Sequence, residues 1–236
     1  MDPCSYHRIR LRLMCDYATM IIIGIPLGIL LAVFLALGRI KIKGYCRALR
    51  VVARGNVIIA ANHPSMLETI LIPLLFFPLY LLHLRFFIWS MPDRRLLPPR
   101  MRWLFWFARC AAIDRTDPRS TKPALEKLTD ILKHKGVIVI HPEAGRTNKG
   151  DTFLMCGRRR IRHFASGVPS LARSASATIL PLWISGTDKV LPIGMTMPRL
   201  TRSKIVFSFG IPYVPPKEEK SRSQESLALA NAILAS

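Results

Sequence analysis

Val57-Ile58-Ile59-Ala60-Ala61-Asn62-His63-Pro64-Ser65-Met66-Leu67-Glu68 carries the reading of the whole chain. Val57 to Ala61 is a short apolar run rich in β-branched residues, the pattern of a buried strand. Pro64 biases His63 towards extended backbone, so His63 belongs to the turn and not to the helix that follows. Ser65 has the chemistry of an N-cap, and Met66, Leu67, Ile70, Leu71 and Leu74 supply a helical apolar face. An imidazole therefore stands at a strand end, with Glu68 in the first turn of the next helix. A carboxylate there can take the Nδ1 proton of His63 and leave Nε2 as a general base. Two plainer readings stand beside this one. Ser65-x-x-Glu68 is a capping box, in which the carboxylate reaches back to a backbone N–H. A lone histidine is more often structural than catalytic.

The same alternation of strand and helix continues outward. Strands are predicted at Arg39–Lys43, Val57–Ala61, Phe86–Ser90, Cys110–Asp114, Val137–His141, Ile179–Ser185 and Ile205–Phe209. Helices are predicted at Ser65–Phe77, Arg100–Ala108, Pro118–His134, Ile161–Ser174 and Ser221–Ala235. Asp117-Pro118 is a good helix start, with Asp as N-cap and Pro at the first helical position. This order argues an α/β domain with a mixed, largely parallel sheet of about seven strands, covered by helices. No internal repeat is visible. Tyr213 to Ser223, rich in Pro, Lys, Glu and Ser, reads as a solvated linker.

The chain has 236 residues, and half of them are hydrophobic, enough for one domain with a real core and a short appendage. Lys and Arg number 35 against 14 Asp and Glu, a net charge of +21, which points to an anionic partner. Cys4, Cys15, Cys46, Cys110 and Cys156 are scattered without a CxxC pair or a metal-ligand spacing, and suit a reducing compartment. Tyr17 to Gly38 runs 22 residues without a charge. At ~1.5 Å per residue a helix of that length covers a ~30 Å hydrocarbon core. A membrane anchor is favoured over a buried soluble helix or a cleaved signal peptide. Basic residues flank the segment on both sides (Arg8, Arg10 and Arg12; Arg39, Lys41 and Lys43), so it either spans or dips in and returns. Gly24, Pro26 and Gly28 are placed to bend it. The expected division is a membrane anchor at 1–38 and a catalytic domain at 39–236 that faces the cytoplasm.

Arg94 to Arg109 interleaves Arg94, Arg95, Arg100, Arg102 and Arg109 with Leu96, Leu97, Trp103, Phe105, Trp106 and Phe107. That composition suits a lipid headgroup boundary, and the nearby apolar segment favours lipid over nucleic acid, with an ordinary amphipathic core helix as the third reading. His141-Pro142-Glu143-Ala144-Gly145-Arg146-Thr147 follows the most strand-like run, Gly136 to Ile140. A loop there with Gly, Arg and Thr can offer N–H groups and a guanidinium to a phosphate. Ala112-Ile113-Asp114-Arg115 is a third polar cluster at a strand end. Ligands of open α/β sheets bind at such ends.

Asn62-His63-x-x-x-x-Glu68, Ile113-Asp114-Arg115 and Pro142-Glu143-Ala144-Gly145-Arg146-Thr147 resemble, in order, three blocks of the glycerolipid acyltransferase family, which includes the 1-acyl-glycerol-3-phosphate acyltransferases. Ile179-Leu180-Pro181-Leu182-Trp183-Ile184 resembles the fourth block, and Phe164-x-x-Gly167-Val168 a further familiar stretch. The resemblance runs from about Arg39 to about Pro212. Two departures stand out. The first block usually ends in Asp, where this chain has Glu68. The third usually reads Gly, Thr, Arg after its Glu, where this chain has Ala144, Gly145 and Arg146. The resemblance implies transfer of an acyl chain from acyl-CoA or acyl carrier protein to a lysophospholipid hydroxyl, most simply 1-acyl-glycerol-3-phosphate. It implies His63 as general base and Glu68 as its orienting partner, with backbone donors holding the oxyanion. Arg115, Glu143, Gly145, Arg146 and Thr147 would bind substrate, with the two arginines on the acceptor phosphate. No metal or redox cofactor is implied, and the absence of a G-x-S-x-G elbow agrees with direct transfer.

Three other readings survive. One is the same chemistry on another lysolipid or an aminolipid. The second is a hydrolase that passes the acyl group to water. The third is a non-catalytic basic protein that binds membrane or nucleic acid, with strongly salt-dependent binding.

Overall fold

The computed structural model describes residues 14, 17–18, 20–82, 87–96, 99, 109–114, 117, 119, 121–143, 145–147, 152–164, 167–192, 194, 199, 203–216 and 221–236. Its strands are Ile40–Lys43 (β1), Val57–Ala61 (β2), Ile88–Ser90 (β3), Val137–Ile140 (β4), Phe153–Cys156 (β5), Arg159–Arg162 (β6), Thr178–Ser185 (β7) and Ile205–Phe209 (β8). Six of them form one sheet in the order β1-β8-β7-β2-β4-β3, and β5 and β6 form a separate hairpin. Within the sheet only β7 and β8 pair antiparallel, so it is mixed and largely parallel. All of β2 and β4 is buried, as expected of central parallel strands covered on both faces.

The helices are Ile25–Ala36 (α1), Tyr45–Arg54 (α2), Glu68–Leu75 (α3), Phe77–Leu82 (α4), Thr121–Lys133 (α5), Val168–Ala175 (α6), Thr187–Val190 (α7) and Arg222–Leu234 (α8). Period-two alternation along the strands divides the core. Val57, Ile59, Val139 and Phe207 face Val52 of α2 and Ile72 and Leu75 of α3. Ile58, Ile138, Ile140 and Ile179 face Leu128 of α5, Ala172 of α6 and Ile233 of α8. β2 and β4 run in register from Val57 beside Val137 to Ala60 beside Ile140, so their C-terminal ends lie side by side at one sheet edge.

Several expectations need correction. Among the described residues the main sheet has six strands, against about seven expected. Cys110–Asp114 makes only two isolated parallel bridges, Cys110 to Ser90 and Ile113 to Asp93, because a three-residue β3 offers too short an edge for a full ladder. The helix expected at Ile161–Ser174 begins at Val168, and Arg159–Arg162 is a strand instead. Gly157 takes a positive φ in the hairpin turn, and Ile161 alone of β6 is buried, which is period two and not 3.6. The helix expected at Ser65–Phe77 begins at Glu68 and breaks at Phe76 before α4. Helix α2 had no counterpart in the sequence reading. Its buried positions are only Ala48 and Val52, one turn apart among basic residues. The predicted helix Arg100–Ala108, Phe86, Leu97, Pro118 and the end of the predicted linker at 217–220 lie outside the described residues. Of the arginines expected at a headgroup boundary, Arg95 pairs with Asp93 at 2.9 Å and Arg109 lies over the Phe87 and Trp89 rings.

The apolar N-terminal run winds as a π-helical turn at Met20–Gly24 and then as α1. The change of winding falls at Gly24 and Pro26, where a bend was expected. Helix α1 has 12 residues. At ~1.5 Å each that is about 18 Å, short of a ~30 Å hydrocarbon core. Among the described residues, no helix is long and apolar enough to cross a membrane. The segment lies on the domain. A Cβ on Gly24 would come within 2.7 Å of the Phe77 ring, and one on Gly28 within 3.0 Å. Bare backbone at both positions lets α1 approach α4. Its other side leaves Ile22, Ile29, Leu30, Val33 and Phe34 exposed.

Candidate active site

Strand β2 ends at Ala61, but its pairing with β7 continues through a side chain. Asn62 Nδ2 donates to the Ile184 carbonyl at 2.8 Å, and Asn62 Oδ1 accepts from the Ile184 N–H at 2.7 Å. The side-chain amide thus stands in for one more ladder residue while the main chain turns away. The turn delivers His63 to the sheet edge.

His63 Nδ1 meets Glu68 Oε1 at 2.7 Å, and the Glu68 side chain is wholly buried while that of His63 is 14% exposed. Nε2 has no partner among the described residues. Glu68 Oε1 also accepts from the Ser65 N–H at 2.8 Å, and Oε2 accepts from Ser65 Oγ at 3.0 Å. Glu68 thus contacts both the imidazole that the orienting reading names and the Ser65 N–H that the capping reading names. The turn is shifted, however. Leu67 is the N-cap of α3, and Ser65 Oγ accepts from the Leu67 N–H at 3.0 Å. Burial pushes the Glu68 carboxyl upward, but the hydrogen bond and charge of His63 outweigh it and hold Glu68 below its ordinary value. The result is a buried carboxylate fixed on a partly exposed imidazole.

The loop after β4 closes on this turn. Glu143 Oε1 accepts from the His63 N–H at 2.9 Å and from Thr147 Oγ1 at 2.7 Å, and Glu143 Oε2 accepts from the Arg162 N–H at 2.9 Å. The Thr147 N–H donates to the His63 carbonyl at 2.8 Å. Burial raises the Glu143 carboxyl, opposed by the hydrogen bonds from Thr147, Arg162 and His63. One carboxylate thus ties together the β2 turn, the β4 loop and the end of β6. Arg146 is half-buried and has no hydrogen-bond or ion-pair partner among the described residues. Gly145 packs against Arg162, whose Nη1 lies 3.0 Å from where a Cβ would stand.

The structure brings His63, Glu68, Glu143, Gly145, Arg146 and Thr147 together at the shared edge of β2 and β4. Arg115 and Ala144 lie outside the described residues. Two groups escaped the sequence reading as site residues. The His141 ring stacks on His63 with centroids 4.3 Å apart and planes 16° from parallel. Its Nδ1 lies 3.1 Å from both the Ala61 and the Asn62 carbonyls, while its Nε2 is sealed from solvent without a partner. Burial, then the neighbouring His63, depress its pKa to about 4, so it is neutral and Nδ1 carries the proton. Its place directly after β4, level with Ala61 at the end of β2, was the available signal. Arg162 was hidden by its assignment to a helix.

Comparison with known proteins shows the family and the fold. A family model described as Acyltransferase matches residues 40–185. The chloroplastic 1-acyl-sn-glycerol-3-phosphate acyltransferase LPAT1 of Arabidopsis thaliana is 25% identical over 96 residues, 41% of this chain and 24% of that protein. The chloroplastic 1-acyl-sn-glycerol-3-phosphate acyltransferase BAT2 of Brassica napus is 24% identical over 96 residues, 41% of this chain and 25% of its own length. The match thus spans about a quarter of the length of these curated relatives. The crystal structure of the 1-acyl-sn-glycerophosphate (LPA) acyltransferase PlsC from Thermotoga maritima superposes with a TM-score of 0.60 at 16% identity. That match covers 100% of this chain and 81% of the other, and shows a shared fold.

Proposed function

The chain belongs to the acyltransferase family, and we propose that it moves a fatty acyl group from the thioester of acyl-CoA or acyl carrier protein to the free hydroxyl of a lysophospholipid, 1-acyl-glycerol-3-phosphate above all. The observation that carries this reading is the 2.7 Å contact between His63 Nδ1 and a fully buried Glu68 at a sheet edge shared with the Arg146 loop. The named relatives act on 1-acyl-sn-glycerol-3-phosphate, which supports that acceptor.

In this mechanism Nε2 of His63 takes the acceptor hydroxyl proton as the oxygen attacks the thioester carbonyl. A tetrahedral intermediate forms and collapses, the C–S bond breaks, and the imidazolium returns its proton to the leaving thiolate. Glu68 holds the ring and stabilises the imidazolium from a site without solvent. Both oxygens of Glu143, and the hydroxyl of Thr147, are engaged within the protein, so we assign them to fixing the loop. Arg146 keeps its guanidinium for a phosphate, and Arg115 is assigned to the same anion. No cofactor enters the scheme beyond the acyl donor.

Residues 1–38 form the membrane-associating part and 39–236 the catalytic domain, on the cytoplasmic side of the bilayer. The exposed apolar side of α1, with Leu81 and Leu82 of the neighbouring α4, is suited to lie in the interface of an anionic bilayer where the lipid substrate resides. Flotation with anionic vesicles tests this part. Ile22→Asp with Ile29→Asp should leave most of the protein unbound, and unchanged flotation would remove the assignment.

The chemistry is tested by incubating wild-type protein and His63→Ala with acyl-CoA and lysophosphatidic acid, following thiol release and phosphatidic acid together. Wild type should yield both products in equal amounts. The variant should lose about 10²–10⁴-fold in turnover while its melting temperature is retained. Thiol without lipid product would indicate hydrolysis, and an active His63→Ala would exclude the proposed base.

A further inference from the structure

We propose that Arg162 supplies an additional guanidinium to the phosphate-binding loop, and that position 145 is glycine in order to make room for it. The proposal rests on the functional reading above. It deepens that reading by adding a binding residue that the third block does not contain.

Strand β6 carries three arginines, and two of them have structural partners. Arg159 donates to the Leu234 carbonyl at 2.6 Å and lies 5.4 Å from the Trp183 ring centre. Arg160 lies 4.9 Å from the Phe153 ring centre. The guanidinium of Arg162 has no hydrogen bond or ion pair among the described residues, although the residue is half-buried. Its backbone is fixed at the site, because its N–H donates to Glu143 Oε2 at 2.9 Å and the other oxygen of that carboxylate holds the His63 N–H. Ile161 is fully buried, so the end of β6 is anchored in the core.

Position 145 gives the second observation. Its φ does not lie in the left-handed region, so the backbone does not require glycine there. A Cβ there would stand 3.0 Å from Arg162 Nη1, a tight contact from which the end of the arginine would have to move by a few tenths of an ångström. A threonine, usual in the third block at this place, would push the guanidinium aside. Arg146 follows immediately and is likewise without a partner among the described residues. Arg146 on the β4 loop and Arg162 at the end of β6 thus bring two uncompensated arginines to one site, and a phosphate monoester offers the charge and the acceptor oxygens to join them. The lysolipid acceptor and the 3′-phosphate of CoA both carry such a group.

The test uses full-length protein in detergent, with glycerol 3-phosphate, CoA and dephospho-CoA as probes titrated against tryptophan fluorescence. No turnover is needed, so a wild type inactive in acyl transfer would refute the functional reading without deciding the role of Arg162. Arg162→Ala should weaken binding by about 10- to 100-fold, the worth of a hydrogen bond to a charged group. Loss confined to glycerol 3-phosphate places Arg162 at the acceptor. Loss confined to CoA, and absent with dephospho-CoA, places it at the donor. With an active enzyme the corresponding KM should rise while kcat holds. Arg162→Lys should recover little, since an ammonium does not reproduce the fork, whereas a mere structural prop would be rescued. Gly145→Ala should weaken the same probe, and should have no further effect in an Arg162→Ala background, which is the signature of a shared interaction. Wild-type affinity for all three probes in a folded Arg162→Ala, or strict additivity with Gly145→Ala, would overturn the proposal.

Discussion

Replacing His141 with Phe should flatten the acid sensitivity of the fold. His141 is held at a pKa of about 4 in the folded protein, against about 6.5 for an unfolded histidine. A group with a depressed folded pKa gives the unfolded chain the extra proton between the two values. Its contribution to stability is therefore complete above the unfolded pKa and is lost as pH falls towards the folded one. At 1.36 kcal/mol per unit, integration from pH 7 to pH 4.5 gives a loss of about 2 kcal/mol from this side chain alone. Phe keeps a ring for His63 to stack on, but carries no proton and leaves the Ala61 and Asn62 carbonyls without their Nδ1–H donor. The variant should begin about 1 kcal/mol less stable at pH 7. It should then lose about 2 kcal/mol less than wild type by pH 4.5, so that the two stability curves converge and cross. Other carboxylates titrate in both proteins, including Glu68, so the difference between the curves is the quantity to measure. Urea titrations at half-unit pH steps supply it. Parallel curves would mean that His141 titrates alike in both states, and the sealed, neutral ring would be refuted.

Glu68→Gln should lower turnover and melting temperature together, because Glu68 Oε1 serves both His63 Nδ1 and the Ser65 N–H. A lower melting temperature with normal turnover, from paired calorimetry and kinetics, would confine Glu68 to the turn. Asn62→Ala should destabilise the fold by about 2–5 kcal/mol, since it strands the buried N–H and C=O of Ile184. Urea unfolding within 0.5 kcal/mol of wild type (about the size of an ordinary surface change) would show that β7 finds other partners.

The central strands were legible because each is a short apolar run whose burial is decided locally. Val57–Ala61 and Ile205–Phe209 begin and end where the residues alone indicated. The histidine-to-carboxylate spacing was equally local. Pro64 and the turn at Ser65 bring two side chains five positions apart within 2.7 Å, whatever lies beyond. Where signals compete, the reading failed. Ile161 and Arg162 read as the start of a helix, yet Gly157 turns Arg159–Arg162 back on Phe153–Cys156 and only Ile161 of that strand is buried. The apolar run at the N-terminus was legible as an anchor that spans or dips in and returns, but hydropathy has no term for the π-turn or for the packing of its glycines on Phe77.

By itself, then, the sequence determined that this is an α/β protein with a histidine poised at a strand end, and that a basic loop follows another strand. Both features follow from neighbours in the chain. Only the tertiary structure decided that the two meet. Pairing β2 with β4 in register sets residues 80 apart within hydrogen-bond reach, as between His63 and Glu143 and between His141 and Ala61. It also decided that position 145 faces Arg162, from a hairpin that no local pattern announced. Such contacts depend on strand order and register, which arise from burying both faces of the sheet at once and are not encoded in any single segment.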